Sequence, residues 1–429
     1  MTARRLLVVA ACLFVAAAAA PSSASAAALS NNLRGIQILN TDPTVGAGTV
    51  DADIQAAAAV GARVIRSELR WAALEPSPGR YDDAYVASVD HLFAAARAAQ
   101  MKVFLTIVGT PCWTSIAPGA DCDTPQGREA ASHWQPSDFG AFARAAAFAA
   151  QRWQPGLAAI ELWNEPDQRN ELYWRGDGKV QNYADLVKAA YPAIKAAAPG
   201  VQVAAGGIVG SDGRFLKALY AAGMKGSYDT LSVHFYDLTL LALNRIRNAR
   251  RTAGDTAPMW LAEYGYDSCL GRKLKSQDAH VCKDPRTQAA DVVDVLRSLK
   301  SQRDLAGAIL YALRDNPQYD FGIYDAGGRR KPLFARLRNA FAGRFGSQRR
   351  IRLKLRASKG RIVASGSGPA GDAFVLTVRK GGVLRYRAVL RTDRYDRYSV
   401  KLPTQLGTHG MTVRMARYSA GGRAAVARS

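Results

Sequence analysis

The sequence is poor in the residues from which metal and cofactor sites are usually built. Its 429 residues include only five histidines and five cysteines, and no C-x-x-C pair occurs among them. Structural zinc sites draw on closely spaced Cys and His ligands, so this composition argues against one. No G-x-G-x-x-G turn follows the first candidate strand, which weakens a nucleotide-binding interpretation. These absences disfavour zinc-dependent and nucleotide-dependent functions.

Long apolar runs are also missing, except at the start of the chain. Arg4 and Arg5 precede the apolar run Leu6–Ala20, and small residues follow it. This order is typical of a secretory signal peptide cleaved near Ala26–Ala28, and the run is shorter than the roughly 20 residues of a membrane span. We assign residues 1–28 to a signal peptide and expect a secreted protein, free or associated with the cell wall. An uncleaved membrane anchor is the alternative.

Cysteine usage agrees with export. Cys12 lies inside the predicted signal, and four cysteines remain in the mature chain. Four cysteines allow three pairings. The two local pairs, Cys112 with Cys122 and Cys269 with Cys282, would each close a short loop, as an oxidising compartment permits. We predict disulfide bonds at these four positions, with a zinc site as the disfavoured alternative.

Acidic residues are scarce at the end of the chain. Residues 344–429 contain 20 Lys and Arg against three Asp, so this segment carries +17 of the total net charge of +23. A strongly basic segment suggests contact with a polyanion such as an anionic wall polymer or a nucleic acid. A basic surface that is merely solvated is the alternative.

Apolar and β-branched runs alternate with Ala-rich segments of helical spacing along most of the chain, which is typical of βαβ units and a parallel sheet. The candidate strands are Gly35–Leu39, Arg63–Ser67, Lys102–Val108, Ala158–Trp163, Val201–Gly206, Asp229–Phe235, Met259–Glu263 and Gly307–Ala312. The candidate helices are Ala84–Ala99, Ser137–Arg152, Tyr183–Ala197 and Thr287–Lys300. Eight units in about 300 residues predict an α/β fold of the (β/α)8 TIM-barrel type.

The pattern changes after the predicted barrel. Ile351, Leu353 and Leu355 alternate with basic residues, which is the period-2 pattern of a half-buried strand. Similar alternation recurs in Phe374–Val378, Leu384–Leu390 and Val413–Met415. We therefore predict a barrel over residues 29–343 and a small, basic, all-β module of sandwich-like architecture over residues 344–429.

Two glutamates stand at the ends of candidate strands. Glu165 follows the fourth strand and Glu263 ends the seventh. In a parallel barrel the reactive groups gather at the C-terminal ends of the strands, and a carboxylate beside apolar runs is costly unless it is paired or functional. The two residues predict a carboxylate pair over one cleft, and glycoside cleavage requires such a pair.

The segment Trp163-Asn164-Glu165-Pro166, together with Glu263 on a later strand, resembles the clan A glycoside hydrolases, in particular families 5 and 39. The resemblance covers about residues 33–340. It implies that Glu165 is the acid/base, that Glu263 is the nucleophile, and that hydrolysis retains the anomeric configuration. The implied enzyme is a retaining glycosidase that cleaves O-glycosyl bonds, with β-linked substrates preferred.

The resemblance also implies four supporting residues. Arg66 resembles the strand-two arginine that holds the nucleophile ionised, and Asn164 resembles the residue that binds the sugar 2-hydroxyl. His234 and Tyr236 resemble the pair that lines the cleft near the nucleophile. Each has a structural alternative: Arg66 could pair with Glu68 or Glu161, for example, and His234 could be a barrel histidine with its hydrogen bonds satisfied.

Three aromatic residues are further candidates for substrate binding. Trp113 after the third strand offers a flat face for a pyranose ring, and Trp71 follows the Arg66 strand. Tyr311 stands near the position where many clan members carry a tryptophan on strand eight. Tyrosine can still stack on a sugar, but this departure puts the identity of the substrate in doubt. Plain packing is the alternative for both tryptophans.

The sequence thus predicts a secreted, monomeric hydrolase of a poly- or oligosaccharide that works by double displacement and needs no metal or cofactor. The principal alternative is a non-catalytic carbohydrate-binding or wall-associated protein on a degenerate barrel. Specific nucleic-acid binding by the basic segment is a weaker alternative, because no known module is present. Neither the sugar nor the choice between endo and exo action follows from the sequence.

Overall fold

The computed structural model of the protein describes residues 28–38, 46–269, 281–419 and 424–429. The predicted signal peptide, residues 1–28, lies outside these ranges except for its last residue. In the part of the chain that is described, no helix combines the length and the apolar character that a membrane crossing requires.

Eight parallel strands close into a barrel in sequence order, with the first strand paired to both the second and the eighth. The strands are β1 (Gly35–Gln37), β2 (Val64–Arg70), β3 (Lys102–Val108), β4 (Leu157–Leu162), β5 (Val203–Ile208), β6 (Thr230–His234), β7 (Met259–Tyr264) and β8 (Leu305–Leu310). The predicted TIM barrel is therefore confirmed, and each predicted strand overlaps an observed one.

Helices follow the strands and cover the barrel. They are α1 (Ala47–Val60), α2 (Trp71–Leu74), α3 (Asp83–Ala98), α4 (Pro125–Ser132), α5 (Phe139–Trp153), α6 (Lys179–Ala197), α7 (Arg214–Ala221), α8 (Thr239–Thr252), α9 (Pro285–Leu299) and α10 (Pro332–Phe341). Helices α3, α5 and α9 each begin after an aspartate, Asp82, Asp138 or Asp284, whose carboxylate accepts from backbone N–H groups of the first turn. Such caps stabilise a helix start by about 1 kcal/mol.

The barrel interior is apolar at the N-terminal ends of the strands. A small cluster there includes Phe104, Ala159 and Trp260, and the Trp260 ring lies so close to β8 that a Cβ on Gly307 would be 2.1 Å from it. This packed layer closes the bottom of the barrel, as is usual for the fold. Polar and charged residues of the same strands therefore come together only at the opposite, C-terminal end.

The C-terminal region contains two antiparallel sheets. Their strands are β9 (Arg352–Ser358), β10 (Arg361–Ser367), β11 (Phe374–Lys380), β12 (Val383–Leu390), β13 (Arg397–Lys401), β14 (Met411–Arg417) and β15 (Ala425–Arg428). The sheet orders are β13-β10-β9 and β12-β11-β14-β15, and both sheets contribute to one apolar cluster. The predicted all-β character is confirmed, although β10, β13 and β15 were not among the predicted strands. The boundary at residues 343/344 stays a prediction.

A buried group of charges connects the two regions. Arg349, just before β9, donates to Asp291 and Asp294 on α9 and to Asp396 of the β region, the last at 2.6 Å. Lys283 lies 2.9 Å from Asp396 and 3.3 Å from Asp291. We call these five residues the joint cluster. It ties the barrel to the β region through ion pairs that are largely sealed from solvent.

Both predicted disulfides are present, between Cys112 and Cys122 and between Cys269 and Cys282. The first closes a loop of the segment that follows β3, and the second closes a loop of the segment that follows β7. Cys112 and Cys269 follow the C-terminal ends of their strands, which is the end of the barrel that carries active sites in this fold.

Candidate active site

The turn after β4 is held in an unusual backbone conformation. Trp163 has φ of 76° and Glu165 has φ of 47°, a left-handed region that costs a non-glycine residue about 1–3 kcal/mol. The indole N–H of Trp163 donates to the carbonyl of Tyr173 at 2.7 Å. Opposite, a Cβ on Gly207 would lie 3.1 Å from the backbone nitrogen of Glu165. Close packing around the turn thus keeps Glu165 aimed over the barrel.

The two predicted glutamates meet across the barrel mouth. A carboxylate oxygen of Glu165, a ring nitrogen of His234 and a carboxylate oxygen of Glu263 all lie within 4.8 Å of one another. Nδ1 of His234 is 3.0 Å from Oε1 of Glu165 and 3.6 Å from Oε1 of Glu263. Strands β4, β6 and β7 therefore bring together three residues that are separated by up to about a hundred positions in the sequence.

Arg66, on the inner face of β2, is the centre of the hydrogen-bond network. Its Nη1 donates to Glu263 at 2.6 Å and to Gln37 at 2.7 Å. Its Nη2 donates to Glu161 and to Asn164, both at 2.8 Å. The guanidinium is fully buried, so these partners replace the water it has lost. Arg66 is paired both with the core residue Glu161 and with Glu263, and its effect on the ionisation of Glu263 stays a prediction.

Glu161 and Arg66 are a permanently charged pair. Burial by itself would lower the pKa of Arg66, but the carboxylates of Glu161 and Glu263 raise it above its usual value. Burial would likewise raise the pKa of Glu161, but Arg66 outweighs it and the net pKa is well below the usual range. Thr106 and Ser232 donate hydroxyl hydrogen bonds to Glu161. Glu161 is therefore a buried anion whose charge is paired with Arg66.

The pKa of Glu165 is shifted in the opposite direction to that of Glu161. Burial raises its pKa and the negative charge of Glu263 adds to the effect, while the hydrogen bond with His234 opposes it only in part. Burial lowers the pKa of His234, but Glu263 and the hydrogen bonds to Glu161 and Glu165 raise it to about 10. With His234 charged, this group of residues contains two cationic side chains and three carboxyl groups.

We call Glu161, Glu165, Glu263, Arg66 and His234 the catalytic cluster. In it, both oxygens of Glu263 accept hydrogen bonds, Oε1 from Arg66 and Oε2 from the Tyr236 hydroxyl. Burial and the Glu263 charge raise the pKa of Tyr236 well above its usual value, so its hydroxyl stays a donor. The two donors fix the direction of the Glu263 carboxylate.

A cation site is the other chemistry that three such ligands allow. Glu165, His234 and Glu263 offer two carboxylates and an imidazole, a common donor set for transition metals. However, Arg66 lies 2.6 Å from Glu263, and its positive charge opposes a second cation at that oxygen. The arrangement is suited to moving a proton and holding a carboxylate rather than to binding a metal.

The predicted aromatic residues fall into two groups. Tyr311, after β8, lies 6.2 Å from Tyr236 and 5.5 Å from Phe321 between ring centroids, so it stands beside the catalytic cluster. Trp113 is half-buried and packs edge-on against Trp71 at 6.1 Å. Trp71 itself is fully buried and supports Trp113 from beneath. Contact of any of the three with a sugar stays a prediction.

Two glutamines in the network were not among the predicted site residues. Gln168 donates to Glu165 at 2.6 Å, and Gln37 accepts from Arg66. Gln168 follows Glu165 by three residues in the same turn, a spacing that could have indicated it. Gln37 ends the short strand β1, and only closure of the barrel places it beside Arg66. Glu68, the other acid considered for Arg66, lies two residues further along β2, where burial raises its pKa.

Comparison with known proteins agrees with this geometry. The family model described as cellulase, glycosyl hydrolase family 5, matches residues 23–297. No curated protein matches the sequence.

Several solved glycosidases share the fold. A family 39 glycoside hydrolase from Bacteroides cellulosilyticus WH2 has a TM-score of 0.55 and 16% identity, covering 87% of this chain and 81% of its own. The family 39 enzyme from Xanthomonas axonopodis pv. citri has a TM-score of 0.56 and 14% identity, covering 89% and 93%. A family 39 β-xylosidase from Caulobacter crescentus has a TM-score of 0.56 and 15% identity, covering 88% and 95%. At these identities the likeness concerns the fold.

Proposed function

Since the chain belongs to the cellulase family, glycosyl hydrolase family 5, and is a glycoside hydrolase, we propose that it cleaves its substrate with retention of anomeric configuration. In this proposal Glu263 is the nucleophile and Glu165 is the acid/base. The observation that carries the proposal is their separation, since a carboxylate oxygen of each lies within 4.8 Å of the other. Retaining enzymes keep the two carboxyl groups about 5–5.5 Å apart, whereas inverting enzymes need about 6.5–9.5 Å to admit water.

In the first step, the Glu263 carboxylate attacks the anomeric carbon while Glu165 protonates the leaving oxygen. Arg66 and Tyr236 each hold one oxygen of Glu263, so the nucleophile needs little reorganisation. The raised pKa of Glu165 favours the protonated form, which is the form that a general acid requires.

In the second step, Glu165 acts as the base that activates water against the glycosyl-enzyme. Once Glu263 is an ester, it no longer carries the negative charge that raises the Glu165 pKa. The pKa of Glu165 therefore falls, and its carboxylate form becomes available as the base. His234, at 3.0 Å, stabilises the Glu165 carboxylate after its proton has left. This change of role follows from the charge change on one neighbour.

Substrate contacts complete the proposal. Asn164 accepts from Arg66 through Oδ1, so its amide N–H groups are its donors for the sugar 2-hydroxyl. Tyr311 and Trp113 offer ring faces to the sugar units. A β-linked substrate is supported by the family 39 neighbour from Caulobacter crescentus, which is named as a β-xylosidase. We further propose that the enzyme is secreted, an idea that two disulfides support, and that residues 344–429 contact an anionic polymer.

The test is the stereochemistry of the product. A panel of aryl β-glycosides, β-glucans, mannans, xylans and anionic exopolysaccharides identifies a substrate, with Glu165→Gln as the control for contaminating activity. Proton NMR during the first minutes of hydrolysis then follows the new anomeric centre. We expect the β-anomer to form first from a β-linked substrate. Initial formation of the α-anomer would overturn the retaining mechanism.

A further inference from the structure

The outer face of the three-stranded sheet forms a trough with basic walls. Strand β10 lies in the middle, where Ser367 is paired with Arg352 on one side and Arg397 on the other. Ser365 is paired with Lys354 in the next row of the same face. Directly paired residues of an antiparallel sheet point to the same side. Short serine side chains therefore form the floor, and long cationic side chains rise at the edges.

This basic trough encloses a cavity of about 790 Å³, a volume in the usual range for ligand sites. Four cations and a single acid line it. The lining residues are Arg352, Lys354, Ser365, Gly366, Ser367, Arg391, Thr392, Asp393, Arg397, Tyr398 and Ser399. Hydroxyl groups on the floor and positive charge on the walls suit a ligand that carries both hydroxyl and anionic groups.

Arg391 connects the trough to the active site. It lines the trough and also a second cavity of about 270 Å³, which His234 and Tyr236 line from the barrel. Its guanidinium lies 2.6 Å from the Asp237 carboxylate, and Asp237 directly follows the tyrosine that donates to Glu263. The trough and the cavity beside His234 therefore share one wall, the side chain of Arg391.

A third cavity, of about 520 Å³, extends the series on the other side. Gln168, which donates to Glu165, lines it together with Val209 and Ser211. Val209 and Ser211 also line the second cavity. Neighbouring cavities therefore share lining residues, from Gln168 beside Glu165, past His234, to the basic trough. An open series of this kind accommodates a chain on both sides of the cleaved bond.

From this continuity we propose that the substrate is an acidic glycan, whose sugar units carry carboxylate or sulfate groups, and that the enzyme cleaves it internally while the trough holds the adjoining units. The inference rests on the proposed glycosidase function and narrows its substrate. A nucleic acid fits the trough less well. Single-stranded nucleic acids are held by exposed aromatic faces, and Tyr398, the only aromatic residue among the trough's lining residues, is 4% exposed.

The second sheet provides a matched control. Arg387 and Arg414 are paired with the same residue, Thr377, and so share one outer face. With Arg385 they form an exposed basic set on the same module, and none of the three is among the residues that line the three cavities. Substituting three cations in the trough or these three arginines changes the net charge by the same amount. The two variants therefore differ only in where the lost charges lie.

The experiment compares two triple variants. The trough variant is Arg352→Gln/Lys354→Gln/Arg397→Gln, and the control is Arg385→Gln/Arg387→Gln/Arg414→Gln. For each, kcat/KM is measured on a neutral glycan that the wild type cleaves and on carboxymethylated and sulfated forms of that glycan. We expect the trough variant to lower the acidic-to-neutral ratio about tenfold, because three exposed charge contacts are lost. The control should keep the wild-type ratio, and the two acidic forms distinguish carboxylate from sulfate.

Binding separates failure of this inference from failure of the glycosidase proposal. Affinity electrophoresis of the Glu165→Gln enzyme in polygalacturonate and in a sulfated glycan requires no turnover, and the same measurement with duplex DNA tests the competing ligand. The inference is supported, even if no substrate is cleaved, when the glycan no longer retards the Glu165→Gln enzyme carrying the trough substitutions but still retards the one carrying the control substitutions. Equal losses in both backgrounds, stronger retardation by DNA than by glycan, or products consisting only of monosaccharides would overturn it.

Discussion

The catalytic cluster and the joint cluster contain equal numbers of acidic and of basic side chains, yet they are suited to different tasks. Each has three carboxylates and two cationic side chains, and each is therefore one positive charge short of balance. In both, burial raises carboxyl pKa values: that of Glu165 in the first, and those of Asp291 and Asp294 in the second, where Asp291 reaches about 8. A buried cluster of this composition is electrically neutral when it keeps one proton.

The difference lies in where that proton is held. The Glu165 side chain is 10% exposed and stands at the mouth of the barrel, while the Asp291 side chain is completely buried. Glu165 receives its hydrogen bonds from His234 and Gln168, whereas Asp291 lies against two permanent cations, Lys283 and Arg349. Composition alone does not distinguish a catalytic cluster from a structural one. The two are distinguished by whether the carboxyl group that keeps the proton is accessible from the solvent.

The largest expected effect is the loss of the nucleophile. Glu263→Ala should lower kcat by about 10⁴-fold or more, because no covalent intermediate can form. Added azide should restore turnover and yield a glycosyl azide of inverted configuration, measured by NMR. Asp294→Ala in the joint cluster is the matched control, and its kcat should stay near the wild-type value at temperatures where it is folded. A Glu263→Ala enzyme with more than a few per cent of wild-type activity would contradict the assignment.

The next effect concerns the joint cluster. Arg349→Met removes the cation that contacts three buried carboxylates, and breaking a buried ion pair from one side costs about 3–5 kcal/mol. We expect a correspondingly lower unfolding free energy in urea, with kcat of the folded enzyme retained. The exposed Arg385→Met is the control for loss of charge. If Arg349→Met were as stable as this control, the joint would not depend on its ion pairs.

The smallest effect is a pH dependence of stability. Burial and the neighbouring Asp396 carboxylate raise the pKa of Asp291 to about 8 in the folded protein, while an unfolded Asp has a pKa of about 3.9. The folded state therefore binds the proton more tightly, so this residue's contribution to stability is full below about pH 4 and is lost as the pH rises through about 8.

Asp291→Asn tests this directly. The amide mimics the protonated acid, so at pH 5 the stability of the variant should exceed that of the wild type by only a small part of the difference expected at pH 9. At pH 9 it should be the more stable of the two, because two carboxylates then face two cations. Thermal unfolding at both pH values measures the difference. The stability advantage of the variant over the wild type should be larger at pH 9 than at pH 5. If it were smaller at pH 9, Asp291 would not be the group that keeps the proton.

Much of the barrel could be predicted because its strands and helices have distinct periodicities. The fourth and seventh strands end at residues 162 and 264, so the positions of Glu165 and Glu263 at one end of the barrel followed from local pattern alone. The strands β10 and β15 did not follow, since Gly- and Ser-rich or very short segments carry little alternation. Strand β13 does alternate, but over only five residues, and it was missed. Gln37 was missed because its role depends on barrel closure.

The sequence by itself determined the barrel, the two strand-end glutamates, the four disulfide cysteines and the basic character of the C-terminal region, because these depend on residue type, spacing and periodicity. Only the tertiary structure decided which carboxyl group keeps a proton and where the basic surface meets the active site. Arg66 and Glu263 are 197 positions apart, and Arg391 and Asp237 are 154 apart. Electrostatic coupling acts over a few ångströms of space, and a linear pattern does not specify which distant charges share that space.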